Sequence, residues 1–502
     1  MPIKLFSSFI EGVSAKKVEV EIETPSGLFL FQMVGLPDEV AKESKERVIL
    51  ALKNSGIKPP QNLGKKLIVN LAPATLKKKG SFFDLAVAVG YAFSTKQMGK
   101  ISFDNKIFVG ELSFDGSLRE VPGILAIALL AKKENKILVF PESQKNEVDI
   151  VDDLKIIYAK NLSELLKKLE RGEIEITSGK IPQVDLKYEI DFSQIQGQKR
   201  AKRALEIAAA GEHHLLMLGS PGCGKTLLAK ALVSILPQMT KDEIIEVSKI
   251  YGAFKGSFSL IFERPFRAPH HTSSVSAIIG GGNPIRPGEV TLAHRGVLFL
   301  DEFPEFRRDV LEALREPLEE GWVRICRKEG SFLFPADFFL VAASNPCPCG
   351  YFLDEEKECT CSFSQIEKYK RKLSGPIMDR IDIKIKVSRQ ETNLFSKEKE
   401  EPSSKIRERV ERARKIQQKR YKNEPFSSNG KMPISAIKKY IQLSLDEERF
   451  LKESIKGLSL SPRSFHKVLK VARTIADLEG EEKIKREFLL EALSYQELSL
   501  EG

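Results

Sequence analysis

"HHLLMLGSPGCGKTLLAKAL", residues 213–232, sets three glycines, a proline and a lysine between an apolar run and an apolar-periodic segment. Glycine adds nothing to a core and loses more chain entropy on ordering than any other residue, so a stretch this rich in it needs a compensating ligand. Within it, Gly219, Gly224, Lys225 and Thr226 fit the pattern G-x-x-x-x-G-K-[ST]. Backbone N–H groups left uncovered by side chains can converge on phosphate oxygens, and the helix that follows adds its positive end. Residues Gly219, Ser220, Pro221, Gly222, Cys223, Gly224, Lys225, Thr226 and Leu227 are therefore expected to hold a nucleoside triphosphate. Lys225 would reach the β- and γ-phosphates, and Thr226 would offer its hydroxyl to Mg²⁺. "HLLML" before the loop and "TLLAKALVSIL" after it supply the strand and helix that the pattern requires.

Two further apolar runs extend the same logic. "GVLFLDEFPE", residues 296–305, delivers Asp301 and Glu302 to the end of a strand, where the first can hold magnesium and the second can activate water. "DFFLVAASNP", residues 337–346, ends in Ser344 and Asn345. The Asn345 amide can hold an attacking water, or it can simply form a turn before Pro346. Apolar strands alternating with helices predict a mostly parallel sheet covered on both faces.

The rest of the chain bounds the class. Its 502 residues exceed one core, and its 42% hydrophobic and 30% charged residues describe an ordinary globular protein. No apolar run reaches the ~18 residues of a membrane helix, and the first residues lack a signal-peptide layout, so a cytoplasmic protein without membrane partners is expected. Lys and Arg number 80 against 69 Asp and Glu, a net charge of +11 that favours an anionic partner or marks a solvated basic surface. Residues 1–176 mix alternating strands such as "KKVEVEIE" with helical segments, an α/β domain by the arrangement of its elements. A polar linker is expected over 177–191, an α/β core over 192–387 and a helical domain over 388–502. In the last of these, residues 405–422 carry nine Lys or Arg against two Glu, which suits either phosphate binding or a solvated helix.

Four cysteines, Cys347, Cys349, Cys359 and Cys361, form two C-x-C pairs nine residues apart. Four thiolates on a short loop can close a tetrahedral Zn²⁺ site; a redox pair and unbound thiols are the alternatives. Cys223 reads as a spacer within the phosphate loop and Cys326 as a small apolar strand residue. "WVRICRKEGSFLFP", residues 322–335, reads as a β-hairpin with Arg327 and Lys328 near its turn, either solvated or touching DNA.

Together with "FRAPHHTSS", "REPLEEG", "SNPCPCG" and "SGPIMDRID", these strand-end motifs resemble the AAA+ ATPases of the magnesium-chelatase-like group, above all the ComM (YifB-like) family of bacterial competence proteins. The resemblance covers nearly the whole chain. It implies a Lon-protease-like N-terminal domain (the ribosomal S5 domain 2-like fold), an AAA+ core and a C-terminal helical lid. It also implies a homo-hexameric ring with ATP and Mg²⁺ between subunits. On it, Arg380 in "DRID" is an arginine finger reaching the neighbour's site and Arg463 in "LSPRSFHKV" is the lid's sensor arginine. From the residues alone, Arg380 could equally pair with Asp379 or Asp382. "FERPFRAPHHTSSVSAIIGGG" resembles the helix-2 insert of this clade, and its adjacent His270 and His271 point different ways on any regular element, which disfavours a shared metal. The channel-facing place of the 322–335 hairpin is implied in the same way.

"LKKKGSFFDLAVAVGYAF" and "GELSFDGSLREVPGILAIALLA" resemble the Lon segments that carry a serine–lysine dyad. Asp84 or its phenylalanine neighbour stands near the nucleophile's place, no lysine follows until Lys132, and Ser81 is the one nearby serine. Acyl chemistry without nucleophile and base cannot run. The resemblance thus implies a DNA motor, branched or single-stranded DNA being its partner and branch migration of incoming DNA during natural transformation its task. A metallochelatase ATPase subunit is the alternative, and an ATP-dependent protease or chaperone a more distant one.

Overall fold

The computed structural model describes residues 2–73, 78, 82–182, 184–255, 259–283, 285–327, 330–352, 354, 356–372, 375, 377–389, 400–457 and 462–496. The chain divides into two compact units, Met1–Val184 with Thr240–Ile261, and Asp185–Met239 with Phe262–Gly502. Thr240–Ile261 thus lies inside the 192–387 stretch in sequence yet belongs to the first unit. Among the described residues no helix is long and apolar enough to cross a membrane.

The first unit is built on a mixed sheet of β1 (Ile3–Glu11), β2 (Ser14–Glu23), β3 (Leu30–Val34), β4 (Lys66–Ala72), β5 (Lys106–Phe108), β6 (Ile137–Pro141), β7 (Asp152–Ala159) and β8 (Glu175–Ser178). Their order is β8-β7-β6-β5-β1-β2-β4-β3. The period-two pattern read in "KKVEVEIE" is realised: Val18, Val20 and Ile22 of β2, with Leu67, Val69 and Leu71 of β4, turn inward. Helices Asp84–Ser94 and Ile124–Lys133 pack on β1 and β2. Gly90 permits that approach, because a Cβ there would stand 2.3 Å from Ile22 Cδ1 and 2.7 Å from Leu5 Cδ1. The helix Lys241–Lys255 packs against Ile124–Lys133, and Lys241 Nζ donates to Asp152 Oδ1 at 2.5 Å and to Gly179 O at 2.6 Å.

Asp84 is fully buried at the start of its helix. Ser44 Oγ donates to its Oδ1 at 2.5 Å and Arg47 Nε to its Oδ2 at 2.7 Å. A carboxylate so enclosed serves packing and cannot meet a peptide substrate. Ser81 lies outside the described residues, and Lys132 is exposed in the last turn of its helix.

The second unit holds a five-stranded sheet of β9 (Leu215–Leu218), β10 (Phe266–Arg267), β11 (Val297–Leu300), β14 (Phe339–Ser344) and β15 (Ile383–Lys386), with β12 (Trp322–Arg327) and β13 (Gly330–Pro335) forming a separate hairpin. The order is β10-β11-β14-β9-β15 and every pairing is parallel, as the alternating pattern predicts. All residues of β9, β11 and β14 are buried, the mark of a sheet covered on both faces. Helices Ser403–Arg420 and Pro462–Glu479 pack on Lys199–Gly211, and one apolar core runs from Phe192 to Tyr495. The helical C-terminal residues therefore share the core of the parallel sheet.

A buried polar network ties the two parts of this unit together. His213 Nδ1 meets Asp382 Oδ2 at 2.9 Å, its Nε2 meets Thr474 Oγ1 at 2.7 Å, and Asn429 Nδ2 donates to Asp477 Oδ2 at 2.8 Å. On the basic helix Ser403–Arg420, Arg409 pairs with Glu206 and Glu401, Arg414 with Glu212, and Arg420 with Asp477. These guanidiniums are engaged within the chain, whereas Lys405, Arg412, Lys415 and Lys419 of the same helix are exposed to solvent.

Burial pushes the Asp84 carboxyl up to about 6 despite the Arg47 and Ser44 hydrogen bonds. In the unfolded chain it would titrate near ~4. Between those values the folded state binds more protons, so the stability Asp84 contributes is full below pH ~4 and lost as pH rises through about 6. Thermal melts of wild type and Asp84→Asn across this range should show the variant with the shallower loss of stability; parallel curves would refute the assignment.

Candidate functional site

The parallel ladder brings the candidate residues to one edge. Leu218 at the end of β9 is in register with Ser344 of β14 and Lys386 of β15, and Gly219 N donates to Ser344 O at 3.1 Å. From there the chain curls through Gly222 and Gly224, whose φ values of +78° and +92° favour glycine, and enters the helix Lys225–Ile235. Gly219 is required for another reason: a Cβ would stand 2.3 Å from Val387 O and 2.7 Å from Cys223 Sγ. Cys223 is thus more than a spacer, since its buried side chain fills the inside of the curl.

Lys225 is buried, and its Nζ donates to Gly219 O at 2.6 Å, Ser220 O at 3.0 Å and Asn345 Oδ1 at 3.2 Å. The ammonium and the Asn345 amide, 120 residues apart in sequence, share one spot. Thr226 Oγ1 donates to Asp301 Oδ2 at 3.0 Å, and Asp301 Oδ1 accepts from Glu302 N at 2.9 Å. An adjacent hydroxyl and carboxylate form a hard oxygen donor set, which fits Mg²⁺.

Glu302 has φ +51°, in the left-handed region, a conformation that costs a non-glycine residue about 1 kcal/mol. Its half-exposed carboxylate meets His271 Nδ1 at 2.9 Å. Nothing in the sequence near His271 announces this contact; the signal lies in the pairing of β10 with β11, which sets the segment after β10 beside the end of β11. His270 Nδ1 meets Thr272 Oγ1 at 2.9 Å, yet its ring lies against that of His271 with centroids 4.1 Å apart, so the two side chains expected to diverge are in contact although their Nδ1 atoms serve different partners.

Arg380 lies elsewhere in the unit. Its guanidinium pairs with Glu319 of "REPLEEG", whereas Asp379 is taken by Arg463 Nη1 at 2.6 Å and Asp382 by His213 at 2.9 Å. The ion pair of Arg380 is thus with a residue remote in sequence. Burial, together with the nearby Arg315 and Arg463, holds the Arg380 pKa below the usual arginine range. Arg380, whose side chain is largely covered, and Arg463 thus each hold a carboxylate of the same unit. On the hairpin, Arg327 is exposed opposite Gly330, and Lys328 lies outside the described residues. Cys326, read as an apolar strand residue, is exposed with its Sγ 3.7 Å from Ser331 Oγ.

The four clustered cysteines meet. All four Sγ atoms lie within 4.8 Å of one another, with Cys347–Cys349 at 3.3 Å, Cys349–Cys359 at 3.5 Å and Cys347–Cys359 at 3.7 Å. The edge of a tetrahedron with Zn–S bonds of ~2.3 Å is ~3.8 Å, so the donor set fits zinc in number, chemistry and spacing. Backbone N–H groups of Gly350 and Phe352 donate to Cys347 Sγ at 3.2 and 3.3 Å, and Cys349 N donates to Cys361 Sγ at 3.3 Å. Such donors stabilise thiolate charge. Because Gly219 is hemmed in by a backbone carbonyl that cannot swing aside, Gly219→Ala should lower the melting midpoint of the second unit, by roughly 1–3 kcal/mol in stability; an unchanged denaturant midpoint would contradict the packing described.

Comparison with known proteins places this geometry. The family described as magnesium chelatase, subunit ChlI, matches residues 191–394. Subunit ChlI of Mg-chelatase matches residues 18–144, and the ChlI C-terminal family matches residues 400–496. Competence protein ComM of Haemophilus influenzae is 40% identical over 98% of this chain and 97% of its own. YifB of Escherichia coli is 37% identical over 97% of this chain and 95% of its own. A magnesium-chelatase subunit ChlI homolog of Methanocaldococcus jannaschii is 24% identical over 46% of this chain and 68% of its own. With its parallel sheet, its glycine-rich loop and this near full-length likeness, the chain belongs to the ComM/YifB family of magnesium-chelatase-like AAA+ proteins.

Proposed function

We propose that the protein is an ATP-hydrolysing, ring-forming motor that moves branched or single-stranded DNA, with branch migration during recombination of incoming DNA as its task. The observation that carries the ATPase reading is the convergence of Lys225, Thr226, Asp301, Glu302 and Asn345 at the carboxyl edge of one parallel sheet. The DNA reading draws on the net charge of +11 and on the likeness to a protein named for competence.

In this reading Gly219 to Leu227 bind the triphosphate, and Lys225 exchanges its carbonyl partners for phosphate oxygens. Thr226 and Asp301 would hold Mg²⁺, which neutralises phosphate charge when bound. Glu302 accepts the proton of the attacking water at a carboxylate oxygen, and His271 positions that carboxylate. Asn345 orients the water through its amide. In a homo-hexameric ring Arg380 reaches the neighbouring protomer's site and stabilises charge on the transferring phosphoryl group, and Arg463 serves as the sensor arginine of the helical lid. Arg327 and Lys328 contact DNA from the hairpin. Cys347, Cys349, Cys359 and Cys361 hold a structural zinc, and the protein works in the cytoplasm. The ChlI matches favour a second reading, an ATPase subunit of a metallochelatase-type complex, which would show no response to DNA.

Lys225→Ala should weaken ATP binding, whereas Glu302→Gln should bind ATP and lose turnover by roughly 10²- to 10⁴-fold. Steady-state hydrolysis with single-stranded, duplex and four-way junction DNA at defined salt separates the readings: stimulation that falls with salt supports the motor, and indifference to all three supports the chelatase-type subunit. Mixing Arg380→Ala with Glu302→Gln chains should regenerate intact sites between unlike neighbours; no recovery of hydrolysis at any ratio would refute the shared site.

A further inference from the structure

The cysteine loop is not remote from the phosphate loop. Strand β14 ends at Ser344, and the chain passes through Asn345 and Pro346 directly into the fully buried Cys347. Gly350, with φ +90°, lies against the glycine-rich curl: a Cβ on it would stand 2.6 Å from Pro221 Cδ and 3.8 Å from Asn345 Cγ. Farther along, the nearby Ser220 hydroxyl, with the backbone N–H groups of Glu356 and Lys357 that donate to Asp354 Oδ1 at 3.0 Å each, holds the Asp354 carboxyl below the usual carboxylate range. Glu356 in turn pairs with Arg389 at 2.5 Å. One loop thus touches Ser220 and Pro221 of the phosphate loop and Asn345 beside Lys225.

Among the described residues, no helix or strand lies between Ser344 and Phe363, so regular hydrogen bonding does not fix this loop. Its cross-link is the sulfur quartet. Four thiolates repel one another, and four neutral thiols form only weak hydrogen bonds; a divalent cation turns the same cluster into a firm closure. We propose that metal held by Cys347, Cys349, Cys359 and Cys361 clamps the loop onto Ser220 and Pro221, so that nucleotide affinity depends on metal occupancy. The inference rests on the nucleotide and zinc readings above and adds their coupling. Metal loss frees Gly350 and Asp354 from the phosphate loop and takes Gly350 from beside Asn345, which leaves Lys225 as the group that steadies its amide and loosens the cradle before any chemistry.

The test uses the full-length protein. Zinc is quantified by atomic emission, and binding of a fluorescent methylanthraniloyl-ATP is measured with Mg²⁺ before stripping with 1,10-phenanthroline, after removal of the chelator, and after zinc is restored. About one zinc per chain is expected, with a Kd that rises about tenfold on stripping, the size of one lost buried contact, and recovers on restoration. Asp354→Ala should keep its zinc and still bind nucleotide several-fold more weakly, because it breaks the contact to Ser220 without touching a ligand. Circular dichroism reports whether the stripped chain stays folded. Holo-level affinity in a folded, zinc-free chain overturns the coupling; if stripping unfolds the chain, wild-type affinity in Asp354→Ala overturns it instead. A zinc-loaded protein that binds no nucleotide refutes the nucleotide reading, and a protein that neither carries nor takes up zinc refutes the metal reading, so the three failures are distinguishable.

Discussion

The register of one parallel ladder is the constraint on which the candidate site depends. Because β11, β14, β9 and β15 all run the same way, their carboxyl ends reach a common edge, and residues far apart in sequence arrive there together. Leu218, Ser344 and Lys386 share one level, Leu300 and Ala342 the next pairing. Slippage of any strand by one residue would move its terminal polar group by ~3.3 Å and invert its side chains. The wholly buried β9, β11 and β14 resist such slippage, since every side chain has a fitted place on one face or the other. Apolar packing therefore positions the polar chemistry.

Charge is handled differently in the two parts of the second unit. At the sheet edge, Lys225 and Glu302 are held by partners that a ligand can replace, namely backbone carbonyls and a histidine. In the helical part, Arg409, Arg414 and Arg420 are committed to carboxylates inside the chain, and the buried His213–Asp382 pair anchors the entry to β9. Partner loss there would strand a buried charge, which is expensive, so these pairs define one arrangement of helices on the sheet. The same bookkeeping bears on the net positive charge: the guanidiniums of helix Ser403–Arg420 are largely engaged by folding, while Lys405, Arg412, Lys415 and Lys419 on it stay exposed.

Much of this was legible in the sequence because local rules carry it. The glycine spacing around Lys225 announces a backbone that must curl, the apolar runs ending in Asp301 and Asn345 announce strands of a parallel sheet, and the period-two pattern of residues 16–23 announces a half-buried antiparallel strand. Paired C-x-C motifs announce a cluster, and the four sulfurs do converge. Less legible were side-chain partners. Arg380 had two aspartates within two residues, yet it pairs with Glu319, 61 positions away, and His271 faces Glu302 because β10 happens to lie beside β11. The membership of Thr240–Ile261 in the first unit has no signature in its composition.

By itself, then, the sequence determined element types, the phosphate-loop pattern, the identity of the residues at the strand ends and the metal-type donor set, because each depends on backbone conformation or on spacing within a few residues. Tertiary structure alone decided which ions neutralise one another, that the cysteine loop rests on Ser220 and Pro221, and that a histidine orients Glu302. Those outcomes depend on distances between segments remote along the chain, and such distances are set by how the sheet and helices pack, a sum over many weak contacts that no short window of residues contains.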